Sequence, residues 1–239
     1  MQRAALTLTV TALSLAALTA CSGGDGNTNT ADKPTAPASA SQAKQLGPAE
    51  RLAQLLVTKA EAVDYTVREP AEGEALAQSQ DDMSVDKPDC APLAYAMNEL
   101  PVGDPKASLV RVANGPDSMF TLITLATYAD GKAEAAMKGL TAAADSCGGG
   151  YTAKSTSGAT TTYGSVTVET APAGGDESLA TAATFQHQGV TQTLRTQTFR
   201  FGDTIANYFS LDSGSLVQGR QGQAKIPAAL VKAQNAKLA

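Results

Sequence analysis

The side chains with chemistry to offer are three cysteines, one histidine, adjacent acidic pairs and two arginines in a threonine-rich run. His187 precedes Gln188-Gly189, a hairpin signal. A catalytic imidazole needs an orienting carboxylate and a nucleophile, and this one reads as an exposed turn residue. Asp176-Glu177 follows Gly174-Gly175. Paired carboxylates can do acid/base work, but neighbours in an extended segment point to opposite faces, so a solvated turn is expected. Asp81-Asp82 and Asp86 could offer oxygens to Ca²⁺, yet the spacing, glycine and glutamate of an EF-hand are absent. Gly148-Gly149-Gly150 follows an apolar-periodic segment instead of preceding one, so it reads as a helix stop and not a phosphate cradle. GxSxG, HExxH, P-loop and dinucleotide-binding signatures are all missing. The expectation is a protein that is not an enzyme, with no catalytic residue, no metal ligand and no cofactor.

The cysteines carry more. Residues Leu18-Thr19-Ala20-Cys21 follow Arg3 and an apolar run over 4–17, too short to cross a bilayer core. A basic start, a short apolar segment and small residues before a cut make a secretory signal. A cysteine directly after that cut resembles the lipobox of bacterial lipoproteins. The resemblance implies that residues 1–20 are removed, that Cys21 becomes a lipidated N-terminus, and that acyl chains such as palmitate tie the chain to the outer face of the cytoplasmic membrane. In that oxidising compartment Cys90 and Cys147 are expected to pair with each other. The other reading is two buried free thiols. A metal pair lacks further cysteines or histidines to complete a site.

The elements that must position these groups follow from periodicity. Residues 22–45 are Gly, Asn, Thr, Ala, Pro and Ser with few large apolar side chains. They cannot bury enough surface to offset ordering entropy, so 21–46 reads as a disordered tether and 47–239 as the folded domain. Leu52, Leu55 and Leu56 mark a helix over 48–60. A strand is expected over 63–68 and a mobile acidic loop over 71–86. Asp89 is expected to cap a helix carrying Cys90, Leu93, Met97 and Leu100 on one face, ended by Pro101. Strands over 108–112 and 119–128 flank Asn114-Gly115-Pro116-Asp117. Asp130 is expected to cap the next helix, whose stripe runs from Ala133 to Ala144 and on to Cys147. Strands over 160–169, 179–187, 190–201 and 205–211 follow. Gln188-Gly189 and Gly202-Asp203 turn the last three into a meander. A helix over 226–238, with Pro227 in its first turn, closes the chain. The whole reads as α+β: a single antiparallel sheet with helices packed on one face.

Charge narrows the partners. The chain has 18 basic and 23 acidic side chains. Removing Arg3 with the signal leaves 17 against 23, or minus six, which argues against nucleic acid. The absence of tryptophan leaves few anchors for sugar rings. The six tyrosines could line a cleft, though filling the core is their commoner fate. Strand 190–201 is informative in another way. Alternation puts Gln192, Leu194, Thr196, Thr198 and Arg200 on one side, and Thr193, Arg195, Gln197, Phe199 and Phe201 on the other. Neither side is cleanly apolar, so one is expected to be partly wet and cleft-like, with Arg195 and Phe201 as ligand-binding candidates.

Three segments together resemble a known family: Leu55-Leu56-Val57-Thr58 leading to Asp64-Tyr65-Thr66-Val67; Cys90-Ala91-Pro92-Leu93-Ala94; and Gly175-Asp176-Glu177-Ser178-Leu179 with the hairpin from Phe199 to Phe209. They resemble actinobacterial lipoproteins whose domain is similar to the extracellular sensor of mycobacterial PknH-type receptor Ser/Thr kinases. The likeness covers most of 48–238. It implies helices and an antiparallel sheet around a cleft, acting as a binding or sensing module of the cell envelope for a small or amphiphilic ligand or an envelope protein. The other reading is an envelope enzyme, or an enzyme inhibitor or adaptor. The chain lacks a kinase domain and has one cysteine pair where the kinase sensor has two, so no ligand residues carry over.

Overall fold

The computed structural model describes residues 46–71 and 74–239. The signal at 1–20, the lipidation at Cys21 and the tether up to residue 45 lie outside the described residues. Over 46–239 the chain builds one sheet. Its strand order is β1 (Thr66–Arg68), β3 (Ala107–Asn114), β4 (Met119–Thr127), β9 (Thr204–Asp212), β8 (Val190–Phe201), β7 (Glu177–His187), β6 (Thr160–Glu169), β5 (Tyr151–Ser155) and β2 (Met83–Val85). These nine are antiparallel. A short β10 (Gly222–Gln223) runs parallel to the start of β8, where β9 has already left the ladder.

The hairpins are where local chemistry requires them. Gln188 and Gly189 both have positive φ, 52° and 78°, the geometry of a two-residue turn that matches strand twist, and His187 faces Val190 across it. Gly202, at φ 55°, does the same between Phe201 and Thr204. β3 and β4 pair from Ala107–Thr127 to Asn114–Phe120 around the expected Asn-Gly-Pro-Asp turn.

The α+β class and the single sheet are as expected, but helices cover both faces of that sheet. α2 (Ala91–Ala96) and α3 (Lys132–Ser146) pack on the face carrying Leu122, Ala126, Leu194, Ile205 and Phe209. α1 (Pro48–Leu55) and α5 (Ala228–Asn235) pack on the face carrying Ile123, Leu125, Phe199, Ala206 and Tyr208. The reason lies in β4 and β9, where consecutive residues such as Leu122-Ile123 and Tyr208-Phe209 are buried on opposite faces. A central strand apolar on both sides needs cover on both.

Several boundaries differ from expectation. α1 stops at Leu55 because Leu56 turns extended (ψ 141°). Glu61 then accepts from the Thr58 backbone N–H and hydroxyl and fixes a turn. Before α2 the chain makes a 3-10 turn, Pro88–Cys90, and Cys90, not Asp89, is the N-cap. α2 ends at Ala96 instead of running to Leu100, and Glu99 has left helical geometry at φ 67°. Gly131, at φ 71°, caps α3 in place of Asp130. The acidic loop contains β2, which pairs with β5 at the sheet edge. The strand β5 and the short α4 (Ser213–Val217) have no counterpart in the periodicity reading.

Two features hold the helices to the sheet. Gln234 on α5 is fully buried; its amide donates to the Leu55 carbonyl and its oxygen accepts from Val57 N–H, both at 2.8 Å. One side chain thus satisfies two backbone groups at the end of α1 that would each cost about 1–3 kcal/mol if buried unpaired. On the other face Cys90 and Cys147 form the expected disulfide, with Cα atoms 5.9 Å apart, tying the start of α2 to the end of α3.

Candidate functional site

The end of β8 builds a cleft on the α1/α5 face. Alternation along β8 turns Gln197, Phe199 and Phe201 toward α5, as the sequence requires. The cleft opens between these side chains, Val231 on α5 and the loop 172–175, with a volume of about 410 Å³. Its lining is mostly apolar, including Ile226 and Ala228; Gln197, Lys232 and Asn235 supply polar side chains.

Its walls are fixed by contacts beneath them. Phe199 is buried and packs edge-on against Tyr208, with ring centroids 5.9 Å apart and planes at 76°. The Tyr208 hydroxyl donates to Asn235 Oδ1 at 2.6 Å, which aligns α5 with the sheet. Burial raises the Tyr208 hydroxyl well above its ordinary pKa, so it stays a donor. The loop wall lies close because Gly174 has no side chain: a Cβ there would come within 3.2 Å of the Phe199 ring. Asp176 and Glu177 then pin the loop. Glu177 accepts from Arg200 Nε at 2.7 Å, while Asp176 accepts from Arg200 and from Gly202 N–H.

This corrects the reading of Asp176-Glu177 as a solvated turn whose carboxylates point apart. β7 begins only at Glu177, directly opposite Arg200, so Asp176 lies outside the alternating run and can bend back to the same guanidinium.

The two ligand candidates fall in different places. Phe201 lines the cleft, half-buried. Arg195 does not line it. It lies farther back along the same face of β8, where its Nε meets Glu169 at 3.0 Å and its Nη1 donates to the Ala224 carbonyl. Partners from β6 and from the segment after β10 thus take up its donors.

The other candidates are structural in their surroundings. His187 stands at the hairpin tip beside Thr160, Thr162, Thr184 and Phe185, around a hollow of about 470 Å³. Asp82 accepts from Ser79 and Thr156, and Asp86 from Thr152 N–H, so these acids tie the loop to the sheet edge. Among the described residues no three His, Cys, Asp or Glu converge at metal-binding distance. Tyr128, Tyr151, Tyr163 and Tyr208 are all buried in the core. Burial pushes the Tyr163 hydroxyl up to about 12, against the lowering effect of its bond from Asn98.

Glu99 escaped the sequence reading. It is 7 % exposed and holds φ 67°, a conformation ordinarily given to glycine. Burial raises its carboxyl to about 7; the nearby Glu74 adds to this and Arg68 opposes it. Glu99 lines two hollows on the α2/α3 face, of about 350 and 310 Å³. The available signal was a lone acid between Met97 and Leu100, just before Pro101, where an apolar stripe was expected to continue.

No family model matches the chain, and no curated protein matches it. Among solved structures it is similar to the extracellular domain of PknH from Mycobacterium tuberculosis. The TM-score is 0.51, the sequence identity is 13 %, and the match covers 81 % of this chain and 95 % of that one. At that identity the likeness is one of fold.

Proposed function

We propose that this protein is a membrane-anchored extracytoplasmic binding module that holds a small apolar or amphiphilic ligand in the cleft between β8, α5 and the loop 172–175. The cleft itself carries this reading. It is concave, mainly apolar and of ligand size, with a few polar groups at hand to orient a head group. Among the described residues no Asp, Glu, His, Ser, Thr, Tyr or Cys side chain lines it, so no side-chain pairing of base and nucleophile of the kind acyl or glycosyl transfer needs is found there. The fold likeness to the extracellular domain of PknH supports a sensing role outside the cell, and the disulfide suits an oxidising compartment.

The test uses a probe with an apolar body and an acidic head, because Lys232 is exposed beside the cleft. Titrated with cis-parinaric acid, the wild type should bind, and Phe201→Ala should weaken binding by about tenfold, the loss of roughly 1.4 kcal/mol of apolar contact. Arg195→Ala should lower stability through its lost partners and leave affinity unchanged. Equal affinity in wild type and Phe201→Ala would remove the cleft from consideration.

Anchoring is tested separately. Cys21→Ala should move the protein from the membrane fraction to the soluble fraction, and mass spectrometry of the wild type should find a diacylglycerol-sized addition on Cys21. A wild type as soluble as the variant would contradict the anchor.

A further inference from the structure

The geometry points to a second site around Glu99, on the sheet face opposite the cleft, that takes an organic cation: an ammonium group carried on a small apolar body.

As a residue Glu99 is only 7 % exposed, and among the described residues its carboxyl makes no hydrogen bond and no ion pair. Its oxygens are not sealed in the core but open onto the hollows that Glu99 lines, where a carboxylate among apolar walls is costly to ionise and gains from a bound counter-group. Nor is the backbone there by accident. The Glu99 carbonyl accepts from the Thr124 hydroxyl at 3.1 Å, and Leu100 N–H returns to the Tyr95 carbonyl. The amides of Asn98 and Asn207 donate to the Ala94 and Ala96 carbonyls. Together they hold Glu99 at φ 67°, a post-helical position that glycine fills without strain. A glutamate there sets a carboxyl on the walls of both hollows at a conformational cost.

The surroundings select the ligand. Met97, Phe120, Leu122, Phe209 and Leu211 wall the larger hollow, so an apolar body fits it and two aromatic rings are at hand for a cation. Glu74 is the other ionisable side chain on the walls of either hollow among the described residues. Arg68 already engages it through two bonds of 2.6 and 2.9 Å, and Ala71 N–H donates to it as well. Glu99 feels Arg68 only through space, with no cation in contact, so its charge still attracts an ammonium and repels a carboxylate. An ammonium bound there draws the carboxyl, raised to about 7 by burial, into its ionised form, so binding near neutrality releases a proton.

The experiment compares n-hexylammonium, hexanol and hexanoate by calorimetric titration between pH 5.5 and 8.5, in buffers of different ionisation enthalpy. The expected result is that the ammonium binds, about tenfold more tightly at pH 8 than at pH 5.5, with proton release between, and that hexanol and hexanoate bind at least about tenfold more weakly. Glu99→Gln should weaken ammonium binding about tenfold at pH 8 and flatten its pH dependence. Glu99→Gly, which suits the backbone, should do the same. Phe201→Ala should change nothing here, which separates this site from the cleft. A second readout needs no ligand. The folded-state pKa lies above the unfolded one, so stability from the neutral carboxyl is complete below about pH 4 and is lost as pH rises through about 7. Glu99→Gln should abolish that decline. Equal binding of hexanol and hexylammonium, binding indifferent to Glu99→Gln, no binding of the ammonium, or a wild-type stability profile parallel to that of Glu99→Gln would each overturn the site.

Discussion

Replacing both Cys90 and Cys147 by alanine lowers the stability of the folded domain by about 4 kcal/mol, and the midpoint of thermal unfolding by about 10 °C. The bond closes a loop across a sequence separation of 57 residues, and the chain entropy that such a loop loses in the unfolded state sets the size of the effect. The location adds to it. Cys90 and Cys147 are 1 % and 2 % exposed, inside a helical layer whose buried side chains include Ala94, Ala96, Ala133, Ala136, Ala143 and Ala144. Alanines bury little apolar area each, so Leu93, Met137 and Leu140 supply most of the packing between α2 and α3, and the covalent tie adds to it. The consequence reaches the Glu99 site, because that residue follows α2 by three positions. Urea denaturation of the double variant, followed by circular dichroism, measures the loss. A loss under about 1 kcal/mol would mean that packing alone holds the two helices.

Gly150→Ala should cost on the order of 3 kcal/mol, a large penalty for adding one methyl group. Gly150 has φ 79°, and a Cβ there would stand 2.1 Å from the Tyr163 carbonyl oxygen and 2.8 Å from the Gly164 carbonyl carbon. Both are backbone atoms of β6 beside its bulge between Tyr163 and Ser165, so no side-chain rotation relieves the overlap. The close approach has a purpose in the fold. Gly150 N–H closes a turn onto Cys147, its carbonyl accepts from Lys87 Nζ, and Tyr151 enters β5 with its ring 4.8 Å from that of Tyr163. Gly149→Ala is the control: a Cβ there meets nothing within 4 Å, and the change should be small. Denaturant midpoints of the two variants decide it, and similar values for both would refute the backbone argument. The glycine run is therefore a helix stop followed by a close crossing of two strands. Position 150 is the demanding one.

Features dictated by a few adjacent residues were legible in the sequence. The turns at Gln188-Gly189 and Gly202-Asp203 require positive φ locally, and they set the β7–β8–β9 meander wherever the rest of the chain goes. Alternation along β8 assigned each side chain to its face, which put Phe201 beside Phe199 and both toward one layer. Spacing on two helices pointed both cysteines inward. What covers a face was beyond this kind of reading, because cover comes from distant segments. α5 reaches the end of α1 through the bond from Gln234 to Leu55 across 179 positions, and β2 meets β5 across some 70. Arg195 and Arg200 looked alike as strand cations. Glu169 and the Ala224 carbonyl engage one and Asp176 with Glu177 the other, and those partners arrive only when β6, β7 and the segment after β10 close the sheet. Glu99 is the sharpest case. Its burial and raised pKa follow from α2 ending early against Thr124 and from hollows walled by strands far away in sequence. Periodicity reports which way a side chain points relative to its neighbours along the chain. Desolvation and charge pairing depend on what the fold brings opposite it, and only the tertiary structure decides that.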